Sequence, residues 1–336
     1  MAERIFLGVD GGNSKTEALA ISESGRVVGF GRSGGSNYQG IGMSNALANI
    51  RQAAEKALAG HKAVWGAFCL AGADTPTDFA ALEPALAGLP FCEHAAVYND
   101  LRAILRGGST RPYGVAIVCG SGFNAGGVGR AGQEFRLPAL GEWTGDRAGG
   151  CKLGASAMGA AFRAWDGRGQ STRLQTDVLG HFDALDMETL AERIVQGRVL
   201  SQDVCALAPL VFRAAVAGDV VAQHLLREQG REIGISILAI ARRLNLLAVP
   251  CEAVLGGSVF YGEGPLLLDT IHTTVHPTAP HITLKRLDVR PVVGAALLAL
   301  DSAGVPVDAA WQRALYAALP APLVLQAPSE NPSEGG

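Results

Sequence analysis

Two glycine-rich turns in this sequence follow apolar, strand-like runs and could bind phosphate. The first follows residues 5–9, and its members are Asp10, Gly11, Gly12, Asn13, Ser14, Lys15 and Thr16. Backbone N–H groups in such a turn can face phosphate oxygens, and a neighbouring carboxylate can hold Mg²⁺ through water. The turn is not a Walker A loop, because Asn13 stands where that loop requires its second glycine. An ordinary hairpin turn is the alternative interpretation.

The second turn follows the apolar run 115–119 and contains Gly120, Ser121 and Gly122, with Phe123 and Asn124 next. A later turn follows residues 252–255 and contains Gly256, Gly257 and Ser258. Small residues there would allow close approach by the ribose or base of a nucleotide. Tight turns without a ligand are the alternative for both segments.

The pair Asn99–Asp100 follows the short strand 95–98 and supplies a carboxylate that could act in acid–base catalysis. The carboxyl end of a strand in an α/β sheet is where ligands usually bind, so Asp100 is well placed to act as a general base. Aspartate also caps helix N-termini, and a cap is the alternative role for Asp100.

The elements that must position these residues alternate between strands and helices. The pattern predicts strands at 5–10, 16–22, 26–31, 64–70 and 95–98, and helices at 42–59 and 77–87. From residue 115 the succession of strand, glycine turn, strand, glycine turn and strand starts again, over 115–119, 124–129 and 133–137. The remaining predicted helices are 147–164, 186–196, 200–216, 219–245, 262–275, 292–302 and 307–318, with strands at 252–255 and 282–286. A chain of 336 residues is also about twice the usual ~150-residue domain, so we expect two α/β domains.

Composition excludes several classes of protein. A net charge of -3 argues against a general nucleic-acid binder. No run approaches the ~20 apolar residues of a membrane span, and a strand-like run begins at Ile5, so we expect a cytoplasmic protein without a signal peptide. The six cysteines stand singly, which predicts reduced, buried thiols rather than a disulfide frame or a zinc site. His272, His276 and His281 have spacing compatible with a metal site, but a helix end followed by Pro277 would scatter them.

Taken together and in order, these segments resemble a known family. The chain is similar to the N-acetylglucosamine kinases and BadF/BadG/BcrA/BcrD-type ATPases, within the superfamily of sugar kinases, heat-shock chaperone ATPases and actin. The resemblance covers about residues 4–300. It matches the first turn, the Asn99–Asp100 pair and the second turn to the family's first phosphate, catalytic and second phosphate motifs. It also matches Ser36–Asn37 to a sugar-contacting segment, the stretch 145–150 to a Gly-Asp-Glu-Gly-Ser-Gly motif, and Gly256–Gly257 to an adenosine motif.

The resemblance implies two ribonuclease-H-like, or actin-like ATPase, domains with the active site in a cleft between them. The domains would be 1–112, with helices 291–318 returning to it, and 113–290. Independently of the resemblance, the four prolines from Pro320 onward predict a flexible tail at 320–336. The resemblance also implies ATP and Mg²⁺ as cofactors, a homodimer, and transfer of the γ-phosphate to N-acetylglucosamine or glucosamine. Asp100 would be the base and Asp10 would position the metal. The implied substrate-binding residues are Ser36, Asn37, Asp100, Phe123, Asn124, Glu142, Trp143 and Asp146.

The chain departs from the family pattern near its expected sugar loop. Residues 147–150 read Arg-Ala-Gly-Gly where Glu-Gly-Ser-Gly is usual, and the loop at 140–144 is shorter than in typical acetylglucosamine kinases. A sugar-binding protein without catalysis, or a BadF-type ATPase, therefore remains as an alternative. An iron–sulfur activator ATPase would need cluster-bridging cysteines, and the singly placed cysteines argue against it. A sugar-responsive transcription factor would need a helix-turn-helix before Ile5, where the first predicted strand begins, and this argues against that alternative.

Overall fold

The computed structural model describes residues 3–325. Contacts divide the chain into two compact units. Residues up to Ala116 together with those from Lys285 onward form unit 1, and Ile117–Leu284 form unit 2. These divisions differ by a few residues from the sequence-based boundaries at 112/113 and 290/291. Unit 1 is thus assembled from two separate stretches of chain.

The first stretch of unit 1 supplies a five-stranded sheet and four helices. The strands are β1 (Ile5–Gly11), β2 (Thr16–Ser22), β3 (Val27–Ser33), β4 (Ala63–Leu70) and β5 (Cys92–Asn99). The helices are α1 (Tyr38–Ile41), α2 (Met43–Leu58), α3 (Pro76–Ala87) and α4 (Asp100–Gly108). The strand order is β3-β2-β1-β4-β5; β1 and β3 are antiparallel to β2, whereas β1, β4 and β5 are parallel. The carboxyl ends of β1, β4 and β5 therefore meet at one end of the sheet, as expected for an α/β ligand site.

Most residues of a second five-stranded sheet belong to unit 2, and the chain then returns to unit 1. The strands of the second sheet are β6 (Gly114–Cys119), β7 (Phe123–Val128), β8 (Glu134–Arg136), β9 (Cys251–Gly256) and β10 (Ile282–Arg286), in the order β10-β9-β6-β7-β8. Its helices are α5 (Gly150–Trp165), α6 (Leu174–His181), α7 (Met187–Val195), α8 (Ser201–Cys205), α9 (Ala208–Val216), α10 (Val220–Arg243) and α11 (Leu266–Val275). The returning helices are α12 (Pro291–Ser302) and α13 (Ala309–Ala318).

Strand β1 is buried on both faces, which explains its continuous apolar run. Ile5, Leu7 and Val9 lie in one apolar cluster with α2 residues that include Ile50. Gly8 points to the opposite face, where a Cβ atom would overlap the backbone of Ala296 in α12. The glycine thus allows α12 to lie directly on the strand that carries Asp10.

We expect Gly8→Ala to lower the free energy of unfolding by about 3 kcal/mol, because the added methyl group must displace helix backbone rather than a flexible side chain. Urea unfolding would measure the change. Gly40→Ala in α1 is the matched control: a Cβ there meets nothing within 4 Å, and we expect a change of about 0.5 kcal/mol or less. Equal stabilities of the two variants would contradict the close packing of α12.

The structure differs from the sequence-based expectations in the division of one helix, in the number of helices and in the start of the tail. The predicted helix 200–216 is two helices, because Pro209 has no N–H and its ring would clash with the carbonyl of Cys205 in a continuous helix. Helices α1, α4 and α6 were not predicted. The predicted flexible tail begins too early: Leu323 is buried, and backbone hydrogen bonds of 2.8 Å join Arg290 N to Leu323 O and Leu325 N to Asp288 O. The remainder of that predicted tail, 326–336, lies outside the described residues.

Within residues 3–325, no single helix has the length and apolar character needed to cross a membrane. One bent pair, 201–216 with 220–243, meets the length and composition test only when the two are taken together.

Candidate functional site

The first glycine turn joins β1 to β2. Asp10 lies half-buried near the end of β1, and the turn closes with a 2.9 Å hydrogen bond from Gly12 N to Lys15 O. Ser14 is exposed, Lys15 is half-buried, and Thr16 is buried, with its hydroxyl donating to Gly34 O at 2.7 Å. The turn is therefore a compact structure that presents Ser14 and Lys15 beside a carboxylate.

The predicted sugar-contacting segment lies directly against this turn. Ser36 N donates to Gly12 O at 2.9 Å, and Asn37 Nδ2 donates to Asn13 Oδ1 at 2.8 Å. Asn37 also caps α1 by accepting from Gln39 N. The hydroxyl of Ser36 is buried and has no hydrogen-bond partner among the described residues. A buried, unpaired hydroxyl at this place fits a ligand contact, which stays a prediction.

The cap at the start of α4 is Asn99 and not Asp100. Asn99 is the N-cap of α4, since its side-chain oxygen accepts from Leu101 N at 3.2 Å. Asn99 Nδ2 also donates to Ala73 O and to Asp74 Oδ1. Asp100 is the first helical residue and is not the cap. The alternative interpretation of Asp100 as a helix cap is therefore wrong.

Three carboxylates influence one another at this end of the sheet. Burial, followed by the negative charges of Asp100 and Glu17, raises the pKa of Asp10 to about 7, although Lys15 and Arg290 oppose the rise. Burial also disfavours ionised Glu17, but its bonds to Lys15 and Arg32 and the charge of Arg290 hold its pKa below the usual value. Lys15 and Arg290 thus compensate the ionised form of Asp10 only in part, and a cation bound beside it would favour that form. In the part of the chain that the structure describes, no group of three or more His, Cys, Asp or Glu residues could chelate a metal directly.

The carboxylate of Asp78 is the centre of a hydrogen-bond network near Asn37. The sequence analysis did not identify Asp78. Its carboxylate accepts from the Tyr38 hydroxyl, from Gln39 Nε2 at 3.1 Å, and from the backbone and side chain of Thr75 at 2.7 Å each. Although burial opposes ionisation, these hydrogen bonds hold the pKa of Asp78 below its usual range. The signal was present: Thr75 and Asp78 form a capping box with Pro76 at the first helical position.

The predicted motifs of unit 2 come together around the second glycine turn. Gly120 O accepts from Gly150 N at 2.7 Å, and Ser121 O accepts from Cys151 N at 2.9 Å. Gly257 has φ +106°, and a Cβ atom there would overlap the carbonyl of Cys119. The turn 120–122, the start of α5 and the turn after β9 are thus in contact, and the side chain of Ser258 is exposed next to them.

Gly257→Ala should therefore destabilise unit 2 by about 2–3 kcal/mol and weaken nucleotide binding by an order of magnitude or more. Gly132→Ala is the matched control, because Gly132 also has positive φ (+83°) but a Cβ atom there would meet nothing within 4 Å. Thermal unfolding and calorimetric titration with ATP would compare the two variants. If Gly257→Ala costs no more than Gly132→Ala, backbone strain alone accounts for this glycine.

The loop expected to contact sugar forms a small closed structure. Asp146 Oδ2 accepts from Gly141 N and from Thr144 Oγ1, each at 2.8 Å, so Asp146 stabilises the loop itself. Glu142 is paired with Lys152 at 2.9 Å, and Trp143 is 95% exposed. At the start of β7, Phe123 and Asn124 are half-buried, and Asn124 Oδ1 accepts from Ala125 N. Substrate contacts by these residues stay predictions.

The cysteine prediction is wrong for one pair. Cys151 in the first turn of α5 and Cys205 at the end of α8 form a disulfide across 54 residues of sequence. Gly154, which has no side chain, lies against the backbone of Val204 and lets the two helices approach closely. The remaining cysteines are buried and outside any disulfide, and burial raises the pKa of Cys119 to about 12.

The histidine spacing produces a ring contact. His272 and His276 lie one helical turn apart, with stacked rings whose centroids are 4.9 Å apart. His281 lies outside α11, before β10.

Comparison with known proteins identifies two curated kinases as relatives of this chain. An N-acetylmuramic acid/N-acetylglucosamine kinase from Clostridium acetobutylicum is 26% identical over 252 residues, covering 72% of this chain and 81% of that protein. An N-acetyl-D-glucosamine kinase from Dictyostelium discoideum is 26% identical over 318 residues, covering 90% and 99%.

Solved structures share the fold. A candidate N-acetylglucosamine kinase from Chromobacterium violaceum superimposes with a TM-score of 0.64 at 23% identity, covering 88% of this chain and 99% of that one. A ROK family glucokinase from Streptomyces griseus, in complex with glucose and AMPPNP, gives a TM-score of 0.55 at 21% identity, with coverage of 88% and 99%. These likenesses confirm the predicted α/β, actin-like ATPase fold. Residues 7–299 match the BadF/BadG/BcrA/BcrD ATPase family, and the chain belongs to that family.

Proposed function

We propose that this protein is an ATP-dependent amino-sugar kinase that transfers the γ-phosphate of ATP to a hydroxyl of N-acetylglucosamine or glucosamine. The observation that carries the proposal is in unit 1. Asp10 lies near the end of β1 and Asp100 directly follows the parallel strand β5, close enough for their charges to interact, beside a glycine turn that presents Ser14 and Lys15. Both curated relatives described above are kinases that act on N-acetylated amino sugars, as their names state.

The residues present fit Mg²⁺. The raised pKa of Asp10 shows that its ionised form lacks full compensation in this site, and a divalent cation would supply it. Mg²⁺ keeps several waters and binds through one or two carboxylates together with substrate phosphates, so a direct three-residue chelate is not required. Asp10 would hold the ion through water, and the ion would neutralise charge on the phosphates.

Phosphoryl transfer asks the protein mainly for positioning and charge neutralisation. Asp100 would accept the proton of the attacking hydroxyl and orient it by a hydrogen bond. Ser36 and Asn37 would hold other sugar hydroxyls, and the residues 11–16 would bind phosphate oxygens. In unit 2, the turn 120–122 would contribute further backbone N–H groups, and Gly256, Gly257 and Ser258 would receive the adenosine. Trp143, Glu142, Phe123, Asn124 and Asp146 would complete the sugar contacts.

The setting of the reaction is also a proposal. We propose that the protein works in the cytoplasm as a homodimer. Disulfides are rare in the cytosol, so we expect Cys151 and Cys205 to be largely reduced there. Light scattering would measure the oligomeric state, and thiol titration after lysis in alkylating buffer would measure the redox state of the pair.

A nucleotide and substrate screen tests the function. Millimolar Mg²⁺-ATP should raise the melting temperature, because a ligand that binds only the folded state stabilises it. A coupled ADP assay should then show the highest kcat/KM with an amino sugar among N-acetylglucosamine, glucosamine, N-acetylmuramic acid and glucose. The absence of any thermal shift would contradict nucleotide binding. A shift without phosphorylation of any sugar would favour a sugar-binding protein or an ATPase of the same family.

A further inference from the structure

A fully buried glutamate lies beside the first glycine turn and is not used in the mechanism above. Glu17, the second residue of β2, has a side chain that is 0% exposed. In the sheet register it is paired with Asp10 on β1. Removing a carboxylate from water is costly unless hydrogen bonds and opposite charges compensate it, so a buried glutamate at this position requires an explanation.

Three cations from three separate segments bind one oxygen of Glu17. Oε1 accepts from Lys15 Nζ at 2.9 Å, from Arg32 Nη2 at 2.6 Å, and from Arg290 Nη1 at 2.9 Å. Lys15 belongs to the turn, Arg32 lies near the end of β3, and Arg290 is the N-cap residue of α12. The other oxygen, Oε2, is buried without a hydrogen-bond partner among the described residues. Three positive charges therefore meet a single carboxylate oxygen.

This arrangement restrains Lys15 without cancelling its charge. A lysine in a turn loses considerable rotamer entropy when it is fixed, and the bond to Glu17 fixes it before any ligand arrives. The ammonium group has three N–H donors, and the bond to Glu17 uses one of them. Because Arg32 and Arg290 share the negative charge of Glu17, positive charge remains at the turn. The side chain of Lys15 is 43% exposed, so its other donors can reach a ligand.

We propose that Glu17 is a positioning residue for the phosphate chain of the nucleotide: it holds the Lys15 ammonium in the place where that group binds a phosphate oxygen. The inference rests on the proposed function, in which residues 11–16 bind the ATP phosphates. Glu17 touches no substrate in this scheme and acts only through Lys15. Arg32 and Arg290 make its burial tolerable.

A double-mutant cycle tests this action through Lys15. The variants are Glu17→Gln, Lys15→Met and the two combined, and calorimetry measures the Kd of Mg²⁺-ATP and of adenosine for each. We expect Glu17→Gln to weaken ATP binding about tenfold and to leave adenosine binding within twofold, because adenosine has no phosphate. In the Lys15→Met background, Glu17→Gln should change ATP affinity by less than twofold. Independent effects that multiply in the double variant would overturn the proposal.

Two further variants separate positioning from a general contribution to stability. Glu17→Asp keeps the charge but withdraws the carboxylate by one methylene, and we expect it to weaken ATP binding severalfold even if Glu17→Gln does not fold. Arg32→Met breaks the same cluster but leaves the Lys15–Glu17 bond. It should lower the melting temperature while ATP affinity stays within threefold. Wild-type ATP affinity in Glu17→Asp, or an Arg32→Met loss equal to that of Glu17→Gln, would contradict positioning by Glu17.

The failure of the proposed function looks different. If the unmodified protein binds no Mg²⁺-ATP, the proposed function fails and this inference fails with it. If the unmodified protein binds Mg²⁺-ATP but the effects of Glu17→Gln and Lys15→Met on ATP binding free energy add in the double variant, the proposed function stands. The role of Glu17 is then structural alone.

Discussion

Asp100→Asn should slow turnover by about two to four orders of magnitude while the Kd of Mg²⁺-ATP stays within a factor of two or three. The carboxylate is replaced by an amide of the same shape that cannot accept the proton of the attacking hydroxyl. We expect α4 to remain folded in the variant, because Asn99, not Asp100, caps this helix. The loss of one negative charge in the first helical turn costs about 0.5 kcal/mol through the helix dipole. Steady-state kinetics with the best sugar and calorimetric titration with ATP would measure both quantities.

Asp308→Asn is the matched control for that experiment. Asp308 lies in the same unit and is a true cap, with its carboxylate accepting from Trp311 N at 2.7 Å. Asparagine caps about as well as aspartate, so we expect nearly unchanged stability and turnover. A folded Asp100→Asn protein that turns over like Asp308→Asn would remove Asp100 from the role of base.

Asp10→Asn should have two opposite effects: turnover should fall by about a hundredfold or more, and the nucleotide-free protein should gain stability at about pH 8. The fall follows from losing the carboxylate that we propose holds Mg²⁺. The gain follows from the pKa of Asp10, which is raised from its ordinary 3.8 to about 7 in the folded protein. Between these values the unfolded chain releases the proton and the folded protein keeps it. The stability that protonated Asp10 contributes to the folded protein is therefore fully present below about pH 4. It is lost as the pH rises through about 7, where Asp10 ionises in the folded protein.

Asparagine resembles the protonated acid at every pH and avoids this loss. We expect the variant and the unmodified protein to have similar stability near pH 4, and the variant to be more stable by on the order of 1–3 kcal/mol at pH 8. Mg²⁺-ATP should reverse the order, since it stabilises the protein with Asp10 more strongly. Chemical unfolding across about pH 4–8, with and without Mg²⁺-ATP, would measure this. Parallel pH profiles of the two proteins would contradict the partly desolvated, incompletely compensated charge of Asp10.

Features determined by local sequence were predicted well. A buried apolar run followed by glycine identifies β1, β6 and β9 together with their turns, because strand and turn are specified within about ten residues. The contact between Gly257 and Cys119, by contrast, depends on how two distant strands pair. Helix α4 was missed because it starts directly after β5 with no intervening turn residues. Pro209 indicates a helix start within the predicted helix 200–216, and the prediction overlooked it.

The missed features of the site depend on residues far apart in sequence. The cations around Glu17 come from positions 15, 32 and 290, and no local pattern relates them. Cys151 and Cys205 meet because two helices of unit 2 approach at Gly154, which single-residue spacing does not reveal. The resemblance implies a substrate contact for Asp146, and its carboxylate accepts hydrogen bonds from its own loop. Motif position thus does not reveal which groups a side chain bonds in the folded loop.

The return of α12 to unit 1 has a consequence for protein synthesis. Residues 292–300 of this helix are all buried, and they cover the face of the sheet that includes Gly8. A ribosome makes the chain from its N-terminus, so β1–β5 emerge long before the helix that covers them, and all of unit 2 emerges in between. During that interval the apolar face of the first sheet is open to chaperones or to other nascent chains. Unit 2 is one continuous stretch of chain and can fold before synthesis ends. Unit 1 cannot be completed until its second stretch is synthesised, so we expect its completion to be the last folding step.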